Sequence, residues 1–296
     1  MPLSQLIEYF NTRYHEKPLI AEQESISGHF QGLQLKSVFQ PIKSLRALTD
    51  KEITIGYEAL LRVYAADNAP LSARVAFAVA GNRLEIIYLD RLCRTLHILN
   101  YLVQGLKINH LAHRYLFLKV APGHLLSVEQ DHGQIFEDIL HRCGISPHQV
   151  VIEIEEKAIS AADSAHLKQA VKSYRHRGYR LALDNFGFEN SSFERLWSLE
   201  PDIIKLDQRF LWHARQNNRI RKILPKLVAL LHDLGSEVLI QGIEEKELAS
   251  LAFHIGADLA QGYHFGMPQA HIDDIGGVGE QPNRVPATNQ GLTTSQ

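Results

Sequence analysis

Val150-Val151-Ile152-Glu153-Ile154, Arg180-Leu181-Ala182-Leu183-Asp184-Asn185 and Ile203-Ile204-Lys205-Leu206-Asp207 decide the fold of this chain. Each is a short apolar run that closes on a residue able to do chemistry. Between the first two lies Ser164–Arg177, whose apolar residues recur at helical spacing. Strand, helix and strand is the unit of a parallel sheet with helices outside it.

The same unit extends in both directions. Upstream are Leu35–Gln40, Ile53–Leu60 and Leu116–Val120; downstream are Glu237–Gln241 and Asp258–Gly262. Helical stretches such as Tyr88–Val103 and Arg219–Leu234 separate most of them. Eight strand-like runs predict a closed TIM-like (β/α)8 barrel, and pattern alone leaves an open, doubly wound sheet as the alternative. The polar residues choose between them. Gln40, Glu58, Lys119, Glu153, Asp184 with Asn185, Lys205 with Asp207, Gln241 with Glu244, and Gln261 stand at the ends of the runs. A barrel gathers strand ends onto one face; an open sheet spreads them along an edge. Helix capping accounts for one or two carboxylates there, but not for lysines, glutamines and glutamates together.

Composition sets the frame. The 296 residues are 45% hydrophobic and 22% charged, with a net charge of −2. That excludes a general basic bias toward nucleic acid or an anionic membrane. No stretch approaches the roughly 20 apolar residues of a membrane span, and no unbroken apolar segment opens the chain as a signal peptide does. The expectation is a cytoplasmic protein with no membrane insertion and no nucleic-acid partner. Cys93 and Cys143 lack a C-x-x-C arrangement and read as free thiols. Residues 1–30 read as an extension, with an amphipathic helix over Gln5–Tyr14 and a charged connector through Glu22, Gln23 and Glu24. The barrel is expected over 31–272. Residues 273–296, rich in Gly, Pro, Asn, Gln, Ser and Thr, are expected to be disordered.

Ordered motifs add a resemblance. Tyr57-Glu58-Ala59-Leu60-Leu61-Arg62 resembles the signature that names the EAL domain family, the family of cyclic di-GMP phosphodiesterases. Phe39-Gln40-Pro41-Ile42 is similar to its opening Tyr-Gln-Pro-Ile, and Glu153-Ile154-Glu155-Glu156 to its Glu-x-Thr-Glu. Asp184-Asn185-Phe186-Gly187 is similar to Asp-Asp-Phe-Gly, Ile204-Lys205-Leu206-Asp207 to Leu-Lys-Ile-Asp, and Gln241-Gly242-Ile243-Glu244 to Glu-Gly-Val-Glu. Gln261-Gly262-Tyr263-His264-Phe265, with Pro268, is similar to Gln-Gly-Tyr-x-Phe and its proline. The resemblance covers Gln31 to Pro268, in the family's order and spacing.

It implies a β/α barrel that hydrolyses cyclic di-GMP to a linear dinucleotide with two divalent metals. Hard cations of that kind need oxygen ligands. The catalytic positions Glu58, Lys205 and Glu244 are retained, as are the remnant metal ligands Glu58, Glu153 and Asp184. Three positions depart. Lys119, in Phe117-Leu118-Lys119-Val120-Ala121-Pro122, replaces the metal-binding asparagine; Asn185 replaces an aspartate and Gln241 a glutamate. An ammonium has no lone pair and cannot ligate a cation, so Lys119 is expected to replace a metal as internal counter-ion to Glu58, Glu153 and Asp184. Over Glu58, 119, Glu153, Asp184, 185, Lys205, 241 and Glu244, four acids and two lysines leave −2. The family pattern carries two more acids and one lysine fewer. The loop Gly187-Phe188-Glu189-Asn190-Ser191-Ser192 differs from Gly-Thr-Gly-Tyr-Ser-Ser, which in active relatives couples dimerisation to metal binding. Ala80-Gly81 stands where Ala-Glu is usual.

The expectation is therefore a degenerate barrel: a cyclic di-GMP receptor without turnover or cofactor, with Mg²⁺ or Mn²⁺ involved only if residual activity exists. Its ligand contacts would be Gln40, Pro41, Glu58, Leu60, Arg62, Lys119, Asp184, Glu244, Gln261, Phe265 and Pro268. Arg62 and Lys119 would meet the two phosphates, and Phe265 would stack on guanine. Two alternatives stand: a nucleotide-independent interaction module with a protein partner or as a homodimer, and a weak phosphodiesterase. With no sensor or cyclase segment in this sequence, any signal is expected to arrive by ligand, partner or expression level. A helix over Arg215–Lys226, with Arg215, Arg219, Arg221, Lys222 and Lys226, reads as a solvated basic face. His110 and His113, without an acidic partner at ligand spacing, read as surface residues.

Overall fold

The computed structural model describes residues 2–13, 16–46, 53–105, 114–121, 125, 134–155, 161–187 and 193–272. The chain opens with α1 (Leu3–Asn11), β1 (Leu19–Ala21), β2 (Ile26–Phe30), β3 (Leu33–Ser44), β4 (Thr54–Tyr64) and β5 (Pro70–Leu71). Next come α2 (Ala73–Val79), α3 (Arg83–Gly105), β6 (Tyr115–Val120), α4 (Gln134–Cys143), β7 (Val150–Glu155) and α5 (Ala161–His176). The last third holds β8 (Arg180–Phe186), α6 (Phe193–Leu199), β9 (Ile203–Leu206), α7 (Arg209–Gln216) and α8 (Asn218–Asp233). β10 (Glu237–Ile240), α9 (Lys246–His254) and β11 (Leu259–Ala260) complete it.

Eight strands close a barrel in the order β3-β4-β6-β7-β8-β9-β10-β11 and back to β3. Every pair from β4 round to β11 is parallel, with helices outside, as the alternation of runs predicts. β3 is the exception: it runs antiparallel to both β4 and β11. The expectation that all eight runs point their C-terminal ends at one face therefore fails at β3. Gln40 reaches the mouth from mid-strand, because the register pairs it with Glu58.

The N-terminal segment differs from a helix and connector. α1 buries Leu6, Ile7 and Phe10, but Glu22, Gln23 and Glu24 sit at the bend of a hairpin between β1 and β2. β2 in turn joins β3 through Gln31 and Gly32, both at positive φ (47° and 78°). Two such residues make the tight turn whose twist matches paired strands, and glycine takes that conformation without a steric penalty. Asn100 of α3 holds the hairpin: its Oδ1 accepts from Ile26 N (2.9 Å) and its Nδ2 donates to Ile26 O (2.8 Å).

The single helix expected over Arg215–Lys226 is two. Asn217 leaves the helical conformation and its side chain accepts from Arg219 N, an N-cap that starts α8 afresh. Arg215 belongs to α7 and donates to Glu245 (2.8 Å), so the five basic residues do not share one continuous helix face. Cys93 is buried in α3 and Cys143, half-buried, ends α4; both are free. No helix among the described residues is long and apolar enough to cross a membrane. Tyr14, His110, His113, the loop 188–192 and the segment 273–296 lie outside the described residues.

Candidate functional site

Strand alternation sets the site. Ile42, Phe117, Val151, Ala182, Ile203, Leu239 and Leu259 form an apolar plug, distinct from the core under the helices. Side chains on one face of a strand recur every second residue. Two residues from each plug residue, toward the mouth, stand Gln40, Lys119, Glu153, Asp184, Lys205, Gln241 and Gln261. Glu58 completes this ring from β4, opposite Gln40. An apolar layer thus carries a polar layer, as stacked interior layers do in barrels of this kind.

Lys205 occupies the middle. Fully buried, its Nζ donates to Glu153 Oε1 (2.5 Å) and Glu58 Oε2 (2.9 Å) and lies 3.8 Å from Asp184 Oδ1. Lys119 reaches in from the rim. Its side chain is half exposed, but its ammonium sits 2.9 Å from Asp184 Oδ2 and 3.5 Å from Glu58 Oε1. Amides take up remaining valences: Gln241 Nε2 donates to Asp184 Oδ1 (2.9 Å), and Gln261 Nε2 to Glu58 Oε2 (2.7 Å). Gln40 Nε2 donates to Gly266 O (3.2 Å), in the segment that returns over β3 through the Phe39–Gln269 bridge.

Opposed environments separate the two glutamates. Burial is the largest influence on Glu58 and pushes its pKa up, but Lys205 and then Lys119 outweigh it and hold it well below the carboxylate range. On Glu153 burial dominates, reinforced by the charge of Glu58, and its pKa lies well above that range. Glu153 Oε2 is sealed from solvent with no hydrogen-bond partner, which leaves any charge there uncompensated. For Lys119 and Lys205 burial disfavours the ammonium, yet the surrounding carboxylates prevail and keep both protonated. Within the ring three acids meet two lysines, leaving one formal negative charge. A protonated Glu153 removes it.

A cleft of about 380 Å³ opens above the ring. Gln40, Glu58, Leu60, Gln241, Glu244 and Gln261 line it, and Glu244 is exposed. Asn185, at φ 60°, also faces it, with Asp207. Arg62 lies farther along the same face of β4, half-buried, donating to Leu61 O (3.2 Å). Pro41, Phe265 and Pro268 stand outside the cleft wall; Phe265 packs on the core and edge-on to His264. Tyr263, from the Gln-Gly-Tyr motif, is also in the wall, and one wall residue carries no sequence signal of its own, Gln208. Gln208 depends on Gly242, at φ +67°, where a Cβ would fall 2.2 Å from the Gln208 Oε1.

A closed β/α barrel with carboxylates, lysines and amides converging at one mouth defines the class. Residues 23–268 match the EAL domain, and the chain belongs to that family. It is 33% identical over 132 residues to the cyclic di-GMP phosphodiesterase RocR of Pseudomonas aeruginosa, covering 44% of this chain and 33% of RocR. The barrel superposes on the EAL enzyme Bd1971, solved with cAMP and cyclic di-GMP, with a TM-score of 0.69. That pair is 19% identical over 90% of this chain and 66% of the other. The FimX EAL domain of Pseudomonas aeruginosa bound to cyclic di-GMP gives a TM-score of 0.66 at 20% identity, covering 92% and 98%. The match spans between about a sixth and a third of the length of the curated relatives.

Proposed function

We propose that this chain is a receptor for cyclic di-GMP that does not turn its ligand over. Lys119 carries the proposal: its ammonium rests against Asp184 and Glu58, between carboxylates the family motif gives to metal ions. Two unit charges about 4 Å apart repel by roughly 4 kcal/mol near a protein surface, and a divalent ion meets about twice that. The amides of Gln241 and Asn185 offer oxygen without charge. Among the described residues no three of His, Cys, Asp and Glu are arranged to hold a metal ion. The donor set present does not fit a pair of divalent ions, so no hydrolytic step is assigned to it. Glu58, Lys205 and Glu244 keep family positions, but Lys205 is already engaged by Glu58 and Glu153.

Binding does not need the metals. Cyclic di-GMP is a dianion, and Lys119, in the ring, and Arg62, on the same face of β4 as Glu58 and Leu60, offer cations to it. Gln40, Gln261 and the wall of Leu60 supply hydrogen bonds and contact for sugar and base, and Phe265, Pro41 and Pro268 flank them. RocR acts on this nucleotide and the FimX domain is bound to it, which supports it as the ligand. Such a receptor would work in the cytoplasm. A second reading, an adaptor that binds a protein partner through its outer helices, is favoured by Trp197 and Trp212, both at least half exposed. Calorimetric titration with cyclic di-GMP in EDTA, then in Mg²⁺, tests the proposal. Binding of equal strength in both, with no linear dinucleotide formed, is the expected result. Turnover, or binding only with metal, overturns it, and no heat in either buffer favours the adaptor.

A further inference from the structure

Where α1 crosses α3 and α4, a second cavity of about 290 Å³ opens away from the described mouth residues. Phe10 and Ile139, 1% and 5% exposed, form its floor, Ile87 a wall, and Leu84, 77% exposed, its rim. Its volume lies at the lower end of the roughly 300–1,000 Å³ common for ligand pockets. Two guanidiniums, Arg13 and Arg91, complete the lining. A third is close by: the Arg13 and Arg142 guanidinium carbons lie 4.7 Å and 3.9 Å from the Tyr9 ring centroid. The Tyr9 hydroxyl is buried without a hydrogen-bond partner. Among the described residues no ion pair engages Arg13 or Arg142.

We propose that this cavity binds a medium-chain carboxylate, its tail on Phe10, Ile87 and Ile139 and its head on the arginines. Apolar lining calls for a tail, and the small volume for a single short chain. The rim decides the sign of the head group. Planar guanidiniums meet a carboxylate with two parallel hydrogen bonds, which a neutral or cationic head cannot accept. Nothing in this inference depends on the nucleotide reading of the barrel mouth.

Displacement of 1-anilinonaphthalene-8-sulfonate fluorescence from the full chain, with decanoate as competitor, tests it. Decanoate is expected to displace the probe at least about tenfold better than decanol, and decyltrimethylammonium not at all. In an Arg13→Gln/Arg142→Gln variant the advantage of decanoate over decanol should shrink. Ile87→Trp should fill the cavity and abolish displacement. Should that variant fold poorly, Leu84→Glu changes only an exposed rim residue and should weaken decanoate by a similar factor. Equal displacement by all three amphiphiles, or full decanoate binding in Leu84→Glu, overturns the proposal. So does a probe signal that falls as protein concentration rises, since a second copy would then cover the cavity.

Discussion

Lys205 and Lys119 bear on the same three carboxylates from different depths. Lys205 is sealed inside, so its partners cannot be rehydrated when it is lost; Lys119 keeps half its side chain in water. Breaking a buried ion pair by removing one partner costs roughly 3–5 kcal/mol, because the other charge is left stranded. Lys205→Met is expected to lower the unfolding free energy by about that much, read from urea melts. Addition of Glu58→Gln to that variant should recover part of the loss, as it removes the ionised acid left stranded. A Lys205→Met protein as stable as the parent would contradict the ring as described. The ring's eight members were legible as residues at or near the ends of apolar runs, but Asn185, Asp207 and Glu244 carried the same signal and stand outside the ring. The counter-ion role of Lys119 was legible too, and its ion pairs with Asp184 and Glu58 bear it out. The rotamer that brings its ammonium to those two was not, because strand-end position says nothing about a four-carbon side chain's conformation. Gln208 escaped for another reason: it follows a strand rather than ending one, and its place depends on the conformation of Gly242.

All eight barrel strands were readable from apolar runs, with ends displaced by a few residues. Direction was not, since alternation is the same read either way. A signal for β3 was nevertheless present. Parallel neighbours need a crossover of about a dozen residues or more, and residues 45–53 are too few to supply one. The β1–β2 hairpin escaped because its strands are three and five residues long and charged residues fill its bend. α3 shows what long buried helices carry besides apolar side chains. His97 lies inside it, 2.8 Å from Ser37 Oγ, and burial lowers its pKa to about 4. An unfolded histidine takes its proton below about pH 6.5, whereas this one stays neutral until about pH 4. Its contribution is complete above pH 6.5 and is lost as pH falls to 4, about 3 kcal/mol in all. Glu153, with a raised pKa, slopes the other way: stability declines as pH rises through it. Comparing His97→Gln with the parent isolates the histidine, because Glu153 is common to both. The variant should lose less stability between pH 6.5 and 4.5 in denaturant melts. Parallel curves would show that His97 does not titrate as its burial requires.

At the scale of the whole molecule, an apolar plug closes one end of the barrel and a nearly neutral ring floors the mouth. On the proposed reading, neutrality is what separates this barrel from a two-metal centre on the same frame, and Lys119 supplies one of the ring's two positive charges. The exchange that restores the family's residue at that position is therefore the decisive one. Titration with Mn²⁺ of the parent and of Lys119→Asn, followed by the electron paramagnetic resonance of the free ion, measures it directly. The parent is expected to leave Mn²⁺ free at millimolar concentration, and Lys119→Asn to bind it at least about tenfold more tightly. Tight Mn²⁺ binding by the parent, or no gain in Lys119→Asn, would contradict it.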